Sequence, residues 1–278
     1  MSSVLLVVHP DRPQARALAA DARSWWQDRG HEVVSGGEDF PPATDFAISL
    51  GGDGTMLRTV QLALPHKTPV LGINLGRMGY LAEVEPAGMH GAFERLEAGD
   101  YGVQERMILD VSVRHSDEHE HGGGDEQTDG SYVALNETII ERTAPGHTIR
   151  VAVAINGRRF LTYVADGLLA CTPTGSTAYN LSARGPVLSP KLRAIVLTPI
   201  APHLVFDRSL VLDSEDTIEM TLLEGRPATA VVDGLRVVPL DAGDTITCTG
   251  SSVPARLVTF GELDFHAVLR SRFGLSDG

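Results

Sequence analysis

The chain has 278 residues, which exceeds one average domain and favours two. Hydrophobic residues make up 42% and charged residues 21% of it, proportions typical of a globular protein with a sizeable core. The formal net charge of -13 disfavours nucleic acids and anionic membrane surfaces as partners, because the overall field would repel both.

The first hundred residues alternate between predicted strands and helices. The opening segment MSSVLLVVHP has no basic region, so it predicts a first strand rather than a signal peptide. No apolar run approaches the ~20 residues of a membrane span, and we expect a cytoplasmic protein. Strands are predicted at 4–8, 31–34, 46–50 and 69–74, and helices at 13–29, 56–64 and 86–98. This alternation predicts a parallel sheet covered by helices on both faces.

A glycine-rich turn, GGDGT at 51–55, follows the third predicted strand and opens a helix. Ligands of α/β sheets bind where strands end, and a helix start offers N–H donors to phosphate. The turn lacks the lysine of a P-loop and the G-x-G-x-x-G spacing, so we expect a divalent metal to balance phosphate charge. Asp53 is therefore interpreted as facing a hydroxyl or a metal, with Arg58 one turn further on. Helix capping by Asp53 is the alternative.

The second half of the chain is rich in short predicted strands. They are expected at 108–114, 132–141, 148–155, 159–164, 167–172, 217–223, 229–232, 236–239, 245–249 and 255–259. Asn156-Gly157 predicts a tight hairpin between two of them. The acidic, glycine-rich segment 115–131 is interpreted as a solvated loop, since nothing in it fixes the geometry of metal ligands. Helices are predicted near 174–183 and at 263–273.

Two polar residues, Asn136 and Glu137, interrupt the apolar pattern of the predicted strand 132–141. Alternation along a strand places Glu137 with Leu135 on one face and Asn136 on the other. Buried polar side chains need partners. An amide can read an adenine edge, and a carboxylate can accept from ribose hydroxyls. The alternative is an edge strand on which both groups are solvated.

The stretch ADGLLACTPTGSTAYNLSARGPVLSP, residues 165–190, holds the densest set of polar side chains. Asp166 ends a predicted strand and could orient an amino or hydroxyl group of a nucleotide. The helix that follows is expected to begin at a capping threonine and to present small and hydroxyl side chains: Thr174, Thr177, Ala178, Tyr179 and Ser182. TGSTA lacks the G-x-S-x-G pattern, so a hydrolase nucleophile is not expected at Ser176.

These stretches together resemble the NAD kinase family, whose members use ATP or polyphosphate. GGDGT, LNETII at 135–140 and DGLLACTPTGSTAYNLSARGPVLSP at 166–190 occur in the family's order and spacing. The segments LGRMGYLAEVEP at 75–86 and LTPIAPH at 197–203 are also similar to family segments. The resemblance covers nearly the whole chain. Lipid kinases and phosphofructokinases have turns similar to GGDGT, so it is the combination with TPTGSTAY that carries the resemblance.

The resemblance implies a kinase that phosphorylates the 2′-hydroxyl of the adenosine ribose of NAD, giving NADP, with ATP, polyphosphate or both as donor. It implies Asp53 as the catalytic proton acceptor or aligning group. A divalent metal, Mg²⁺ or Mn²⁺, is expected to be held mainly by the donor phosphates. Residues expected to bind NAD or phosphate are Gly52, Asp53, Gly54, Thr55, Arg58, Asn136, Glu137, His147, Asp166, Thr174, Thr177, Ala178, Tyr179, Asn180, Leu181 and Ser182.

The implied fold class is α/β plus β-rich. An α/β domain of the Rossmann or flavodoxin-like kind is expected at 1–106 and a β-sandwich-like NAD-binding domain at 107–262. A carboxyl-terminal helix, 263–278, is expected to return to the first domain. The resemblance also implies a homodimer or homotetramer that acts on small molecules, with neither nucleic acid nor membrane as a partner.

Three positions depart from the family pattern. Arg184 stands where many members have glycine, Val164 where some have a basic residue and others glycine, and Leu235 where glutamine is common. These differences bear on the donor and on the choice between NAD and NADH. A non-catalytic dinucleotide sensor and a GGDGT-type lipid kinase are the alternatives. The retained Asp53 disfavours the sensor, and the acidic composition disfavours the lipid kinase.

Overall fold

The computed structural model describes residues 2–36, 44–76, 81–116, 129–203, 205–223, 226–261 and 264–274. Its helices are α1 Pro13–Gln27, α2 Asp53–Ala63, α3 Met89–Glu97, α4 Tyr179–Ser182 and α5 Phe265–Phe273. Its strands are β1 Ser3–Val8, β2 Glu32–Ser35, β3 Phe46–Gly51, β4 Val70–Asn74, β5 Gly102–Arg106, β6 Leu109–Arg114, β7 Gly130–Ala134, β8 Glu137–Arg142, β9 Ile149–Ile155, β10 Arg158–Ala165, β11 Gly167–Cys171, β12 Ala194–Ile200, β13 Leu210–Asp213, β14 Ile218–Leu222, β15 Ala228–Val232, β16 Arg236–Leu240, β17 Thr245–Gly250 and β18 Ala255–Thr259.

The chain divides into two compact units. Unit 1 comprises Met1–Glu105 and Pro254–Gly278, and unit 2 comprises Arg106–Val253. The fold class is the expected one, an α/β amino-terminal part followed by a β-rich part. In the described part of the chain, no helix is long and apolar enough to span a bilayer.

Unit 1 is built on one sheet with the strand order β2-β1-β3-β4-β18-β5. The pairs β1–β2, β1–β3, β3–β4 and β4–β18 are parallel. One face packs against α1 and α3, where the aromatic rings of Trp26 and Phe93 are fully buried. On the other face Met56 of α2 approaches Gly72 so closely that a Cβ there would lie 3.2 Å from the Met56 sulfur. Helices thus cover both faces, as the alternating pattern predicted.

The carboxyl-terminal strand β18 lies inside the sheet of unit 1. It sits between β4 and β5, with Leu257 opposite Val70 in parallel register. The expected boundary assigned residues up to 262 to the β-rich domain, and the structure differs because this strand finds its partner in β4. The helix α5 follows, with the Asp264 carboxylate accepting from the His266 and Ala267 N–H groups.

Unit 2 is a sandwich of two antiparallel six-stranded sheets. Their orders are β10-β9-β14-β17-β6-β7 and β13-β12-β11-β8-β15-β16. Apolar side chains of both sheets share one core, which includes Val151 and Ile246 from the first sheet and Leu168 and Ile195 from the second. The β9–β10 hairpin turns at Asn156-Gly157, where φ is 52° and 71°, the positive values that the Asn-Gly signal predicted.

Two predicted elements are each divided in the structure. The strand expected at 132–141 stops at Ala134 and resumes at Glu137, so that β7 joins one sheet and β8 the other. Asn136 therefore lies in the break, where alternation along a strand assigns no face, while Glu137 begins β8 opposite Cys171. The helix expected at 174–183 is a 3₁₀ turn, Gly175–Thr177, followed by the single turn α4, with Ala178 at φ −94° and ψ −125° between them.

Most of the predicted loop 115–131 lies outside the described residues, which omit 117–128. At its start the His115 ring and the Ser116 N–H contact the buried carboxylate of Asp244, His115 Nδ1 at 2.8 Å from Oδ2 and the N–H at 2.9 Å from Oδ1. At its end Gly130 and Ser131 belong to β7 instead of the loop. Part of the family segment 75–86, residues 77–80, also lies outside the described residues.

Candidate active site

The GGDGT turn connects β3 to α2 in unit 1. Gly52 is the N-cap residue and Asp53 the first helical residue, and the cap has no side-chain hydrogen bond. The backbone N–H groups of Thr55 and Met56 instead donate to the Gly52 carbonyl at 3.0 Å. Asp53 therefore does not cap the helix, and its carboxylate stays on the surface, with 48% of the side chain exposed.

The electrostatic environment of Asp53 is set by burial and by one arginine. Partial burial raises the pKa of Asp53, and the charge of Arg272 opposes that rise. Arg272 belongs to α5, and its Nη2 lies 4.0 Å from Asp53 Oδ2. The last helix of the chain thus supplies a counter-charge to the carboxylate of the turn.

The three glycines of the turn differ in how much room each has for a side chain. A Cβ on Gly51 would lie 2.1 Å from the Thr55 hydroxyl, so this close packing within the chain requires glycine. A Cβ on Gly52 or Gly54 would meet nothing within 4 Å. These two glycines leave open space beside the helix start. Arg58 is exposed one turn after Gly54, so both lie on the solvent side of α2.

In unit 2, the break between β7 and β8 is held by a distant carboxylate. Asp233 accepts hydrogen bonds from the backbone N–H groups of Leu135 and Asn136 at 2.8 Å and of Glu137 at 3.1 Å. The Asp233 N–H donates in return to the Glu137 carbonyl at 2.9 Å. Asp233 is only 5% exposed and adopts a positive φ of 50° in the β15–β16 turn. These bonds fix the backbone of the Asn-Glu pair.

Glu137 is a half-buried acid, and one of its carboxylate oxygens is fully buried. Burial and the nearby charge of Asp233 raise the pKa of Glu137 to about 8, while a hydrogen bond from the Tyr179 backbone N–H lowers it. Oε2 of Glu137 has no hydrogen-bond partner among the described residues. The carboxyl also lies opposite Cys171 in the β8–β11 pair and contributes to the raised pKa of that buried thiol.

The Asn-Glu break and the TPTGST stretch pack directly on each other. The Thr172 hydroxyl donates to the Leu135 carbonyl at 2.5 Å and accepts from the Gly175 N–H at 3.1 Å. The Thr172 N–H donates to the Asn136 carbonyl at 2.9 Å. A Cβ on Gly175 would lie 2.1 Å from the same carbonyl oxygen, so glycine is required there. Two motifs about forty residues apart thus form one surface.

Acidic groups surround the phenol of Tyr179, which is 40% exposed. Burial raises its pKa first, followed by the charges of Glu141, Asp166 and Glu137. Asp166 is itself held by Arg142, whose Nε and Nη2 lie 2.9 Å from Oδ1 and 3.0 Å from Oδ2. Nη2 donates a hydrogen bond to Oδ2 and Nε makes an ion-pair contact with Oδ1, and together they restrain the Asp166 carboxylate.

The remaining predicted residues of this stretch have different roles. The Asn180 side chain is fully buried and donates to the carbonyls of Ser176 and Pro186 while accepting from the Thr198 hydroxyl. It thus supports the turn from within. Thr174 is 5% exposed, makes no cap hydrogen bond and has an unpartnered hydroxyl among the described residues. Thr177, Ala178, Leu181 and Ser182 are half-buried or exposed.

His147 lines a cavity of about 270 Å³ in unit 2. The cavity is lined by Arg142, Ala144, His147, Thr148, Ile149, Arg226 and Pro227. Arg142 also binds Asp166, so this cavity adjoins the acidic group. Arg226 donates to the Thr148 carbonyl at 2.8 Å.

Three functional candidates are not indicated by the sequence: Arg142, Asp233 and Arg272. Asp233-Gly234 directly precedes Leu235, one of the positions that depart from the family pattern. Asp-Gly between two β-branched runs is a turn signal, but the partners of the Asp233 carboxylate lie about a hundred residues earlier. Of the departing positions, Arg184 adopts φ 64°, a left-handed conformation that suits glycine, and Leu235 is exposed.

The described residues offer few grouped ligands for a metal ion. Among the described residues no group of three or more His, Cys, Asp or Glu side chains is arranged to hold a metal ion. The half-exposed carboxylate of Asp53, beside the open space at Gly52 and Gly54, offers a single oxygen donor group. Mg²⁺ is commonly bound by one or two carboxylates together with substrate phosphates, and the arrangement fits a metal of that kind.

Comparison with known proteins identifies relatives over the whole chain. Residues 37–101 match the family model of the ATP-NAD kinase N-terminal domain, and residues 135–260 match that of the ATP-NAD kinase C-terminal domain. An NAD kinase of Heliobacterium modesticaldum is 38% identical over 98% of this chain and 98% of its own. An NAD kinase of Wolinella succinogenes is 35% identical over 100% of this chain and 97% of its own.

Solved structures agree with this result. The crystal structure of an NAD kinase from Archaeoglobus fulgidus in complex with ATP has a TM-score of 0.75 at 26% identity and covers 99% of each chain. Yeast NADH kinase complexed with NADH has a TM-score of 0.87 at 22% identity, over 100% of this chain and 89% of that one, a likeness of fold. The chain belongs to the NAD kinase family.

Proposed function

We propose that this NAD kinase transfers a phosphoryl group from ATP to the 2′-hydroxyl of the adenosine ribose of NAD, giving NADP. The observation that carries the proposal is the convergence of Asn136, Glu137, Asp166 and Tyr179 on one surface of unit 2. Buried oxygens of Glu137 and Thr174 there have no partner among the described residues. Hydroxyl and amino groups of a nucleotide would satisfy them.

Glu137 and Asp166 are assigned to the dinucleotide. The unpartnered Glu137 oxygen is placed to accept from a ribose hydroxyl, and the restrained Asp166 carboxylate to orient a second polar group. Tyr179 offers an exposed ring on which a flat base can stack. Asn180 is removed from direct contact in this assignment, because its side chain is fully committed within the protein.

Asp53 is assigned to the attacking hydroxyl. Its carboxylate is half-exposed and takes no part in capping α2. It lies beside two glycines whose lack of a side chain leaves space for phosphate. Phosphoryl transfer depends mainly on positioning and electrostatics, so Asp53 aligns the hydroxyl as much as it accepts the proton. A bound divalent metal, Mg²⁺ or Mn²⁺, would neutralise charge on the donor phosphates, with most of its ligands from those phosphates.

The first prediction concerns Asp53→Asn. We expect kcat to fall by roughly 10²–10⁴-fold with little change in NAD affinity, because the amide cannot accept the proton. NADP formation from NAD, ATP and Mg²⁺ is measured alongside NAD binding by calorimetry. The isosteric change keeps the helix start intact, since the cap uses no Asp53 side-chain bond. Wild-type turnover in a folded, NAD-binding variant would contradict the role.

The same assay separates the alternatives. Wild-type protein that binds NAD without forming NADP would be a dinucleotide sensor, and phosphorylation of diacylglycerol instead of NAD would make it a lipid kinase. Parallel reactions with inorganic polyphosphate in place of ATP, and with NADH in place of NAD, determine the donor and the preferred redox form. ATP as donor is supported by the similarity to the ATP-bound archaeal NAD kinase.

We further propose a cytoplasmic homodimer or homotetramer. Exposed apolar side chains of Val205, Phe206 and Val211 cluster along the chain before and within β13, and such patches mark association surfaces. Light scattering coupled to size-exclusion chromatography determines the mass. A monomer of 29.7 kDa at micromolar concentration would refute this part of the proposal.

A further inference from the structure

We propose that Asp233 is a positioning residue that holds the Asn136–Glu137 pair in place for the dinucleotide. The inference rests on the proposed function, because it assigns that pair to NAD. Asp233 itself is buried and is not assigned any contact with the substrate.

The geometry shows why the pair depends on this carboxylate. The chain leaves one sheet at Ala134 and enters the other at Glu137, so the residues between have no strand partner for their N–H groups. Asp233 supplies acceptors to three consecutive N–H groups at 2.8 to 3.1 Å. Buried N–H groups without acceptors cost free energy, so the break is stable only with such a group.

The turn that carries Asp233 is shaped for this contact. Asp233 and Gly234 adopt φ of 50° and 66°, and the Leu235 N–H closes the turn on the Val232 carbonyl at 2.9 Å. Aspartate tolerates the left-handed conformation better than most residues. The turn also returns a bond, from the Asp233 N–H to the Glu137 carbonyl. Hydrogen bonds in both directions thus hold the β15–β16 turn in a fixed position against the Asn-Glu pair.

Charge connects Asp233 to Glu137 as well. The Asp233 charge is one of the causes that raise the pKa of Glu137 to about 8. Burial raises the pKa of Asp233 itself to about 6, against the three N–H donors, so Asp233 is ionised where Glu137 titrates. The other groups that face this pair are the Cys171 thiol on β11 and the Tyr179 backbone N–H and phenol, the latter beside Glu141 and Asp166.

The test is Asp233→Asn in the full chain. An amide presents one acceptor oxygen and turns its NH₂ toward backbone donors, so at least one of the three bonds is lost. We expect KM for NAD to rise about tenfold while KM for ATP changes less than threefold. Removing the charge lowers the pKa of Glu137, so the limb of kcat/KM for NAD near pH 8 moves to lower pH. In Glu137→Gln that limb disappears.

Asp244→Asn is the matched control. Asp244 is also a buried aspartate of unit 2 that accepts backbone N–H bonds, from Ser116 at 2.9 Å and Asp241 at 2.8 Å, and none of these involves the Asn-Glu pair. It reproduces the loss of a buried turn carboxylate. We expect lower stability with unchanged KM for NAD and an unchanged limb near pH 8.

Asp233→Glu separates geometry from charge and replaces the asparagine variant if that one does not fold. The longer side chain keeps the charge but displaces the acceptor, so KM for NAD rises while the limb stays near pH 8. The inference would be overturned by folded Asp233 variants that keep both the wild-type KM for NAD and the wild-type pH dependence of kcat/KM near pH 8. Failure of the wild-type protein to form NADP would instead refute the proposed function, so the two results are distinguishable.

Discussion

At the scale of single residues, Glu137 makes stability depend on pH. Its pKa is about 8 in the folded protein against a usual 4.5, so folding takes up a proton at intermediate pH. The contribution of Glu137 to the free energy of unfolding is fully present below pH 4.5 and is lost as pH rises through 8. Above pH 8 the folded protein must hold Glu137 ionised in a largely desolvated place beside Asp233.

We therefore predict that Glu137→Gln is more stable than the wild type at pH 9, by up to about 5 kcal/mol, and not at pH 4.5. Gln stays neutral, so it does not incur the cost of ionising a buried group. Urea unfolding at the two pH values measures the difference. Glu215→Gln, at an exposed turn residue, is the control and is expected to show no such dependence. An equal difference at both pH values would contradict the prediction.

The site residues that could be predicted from the sequence are those within contiguous motifs. Asp53, Asn136 and Glu137 stand out because polar side chains follow or interrupt apolar strands. Asp233 and Arg272 could not be predicted, since their partners are about 100 and 220 residues away and no local pattern encodes that distance. The structural role of Asn180 could not be predicted either, because its burial depends on tertiary contacts with Pro186 and Thr198.

At the scale of elements, α5 connects the end of the chain to the GGDGT turn through Arg272. The predicted change is Arg272→Gln, which removes the charge that lowers the pKa of Asp53. The pKa of Asp53 then rises, and the acid limb of kcat moves to higher pH. Arg270→Gln removes a charge from the same helix and is expected to shift the limb less. pH–rate profiles at low salt provide the measurement, because salt screens this half-exposed pair.

Elements were predictable where local pattern and tertiary partner agree. Strands β1 to β4 of unit 1 and the Asn-Gly hairpin are of this kind. The strands β5, β12 and β13 were not predicted, and β12 contains Pro199, a residue that disfavours central strands. In the structure β13 pairs only with residues 194–197, so Pro199 faces a partner strand on one side alone, opposite Leu168. The division of the strand at 134–137 was missed because the polar residues Asn136 and Glu137 do not show that β7 and β8 pair in different sheets.

At the scale of the whole molecule, the two units have separate cores and separate reporters. Both tryptophans of the chain, Trp25 and Trp26, lie on α1 in unit 1. Tryptophan fluorescence therefore reports on unit 1, while the strand signal in circular dichroism comes mostly from unit 2. The two probes can show whether the units unfold together.

The prediction at this scale concerns Leu257→Ala in β18. The side chain is 4% exposed in the sheet of unit 1, so we expect destabilisation of about 2–5 kcal/mol in the fluorescence transition. Leu222→Ala, a fully buried leucine of β14 in unit 2, is expected to shift the circular dichroism transition instead. Equal shifts of both probes by both variants would show one cooperative unit in place of two.

The position of β18 also constrains how the protein is made. During synthesis, residues 106–253 leave the ribosome as one continuous stretch and hold all the strands of the sandwich. The first sheet must wait, because β18 fills the place between β4 and β5 and is translated after the whole of residues 106–253. Until then β4 exposes an unpaired edge, the kind of surface that recruits other chains. Residues 1–105 are thus synthesised before the sandwich but complete their sheet only after it.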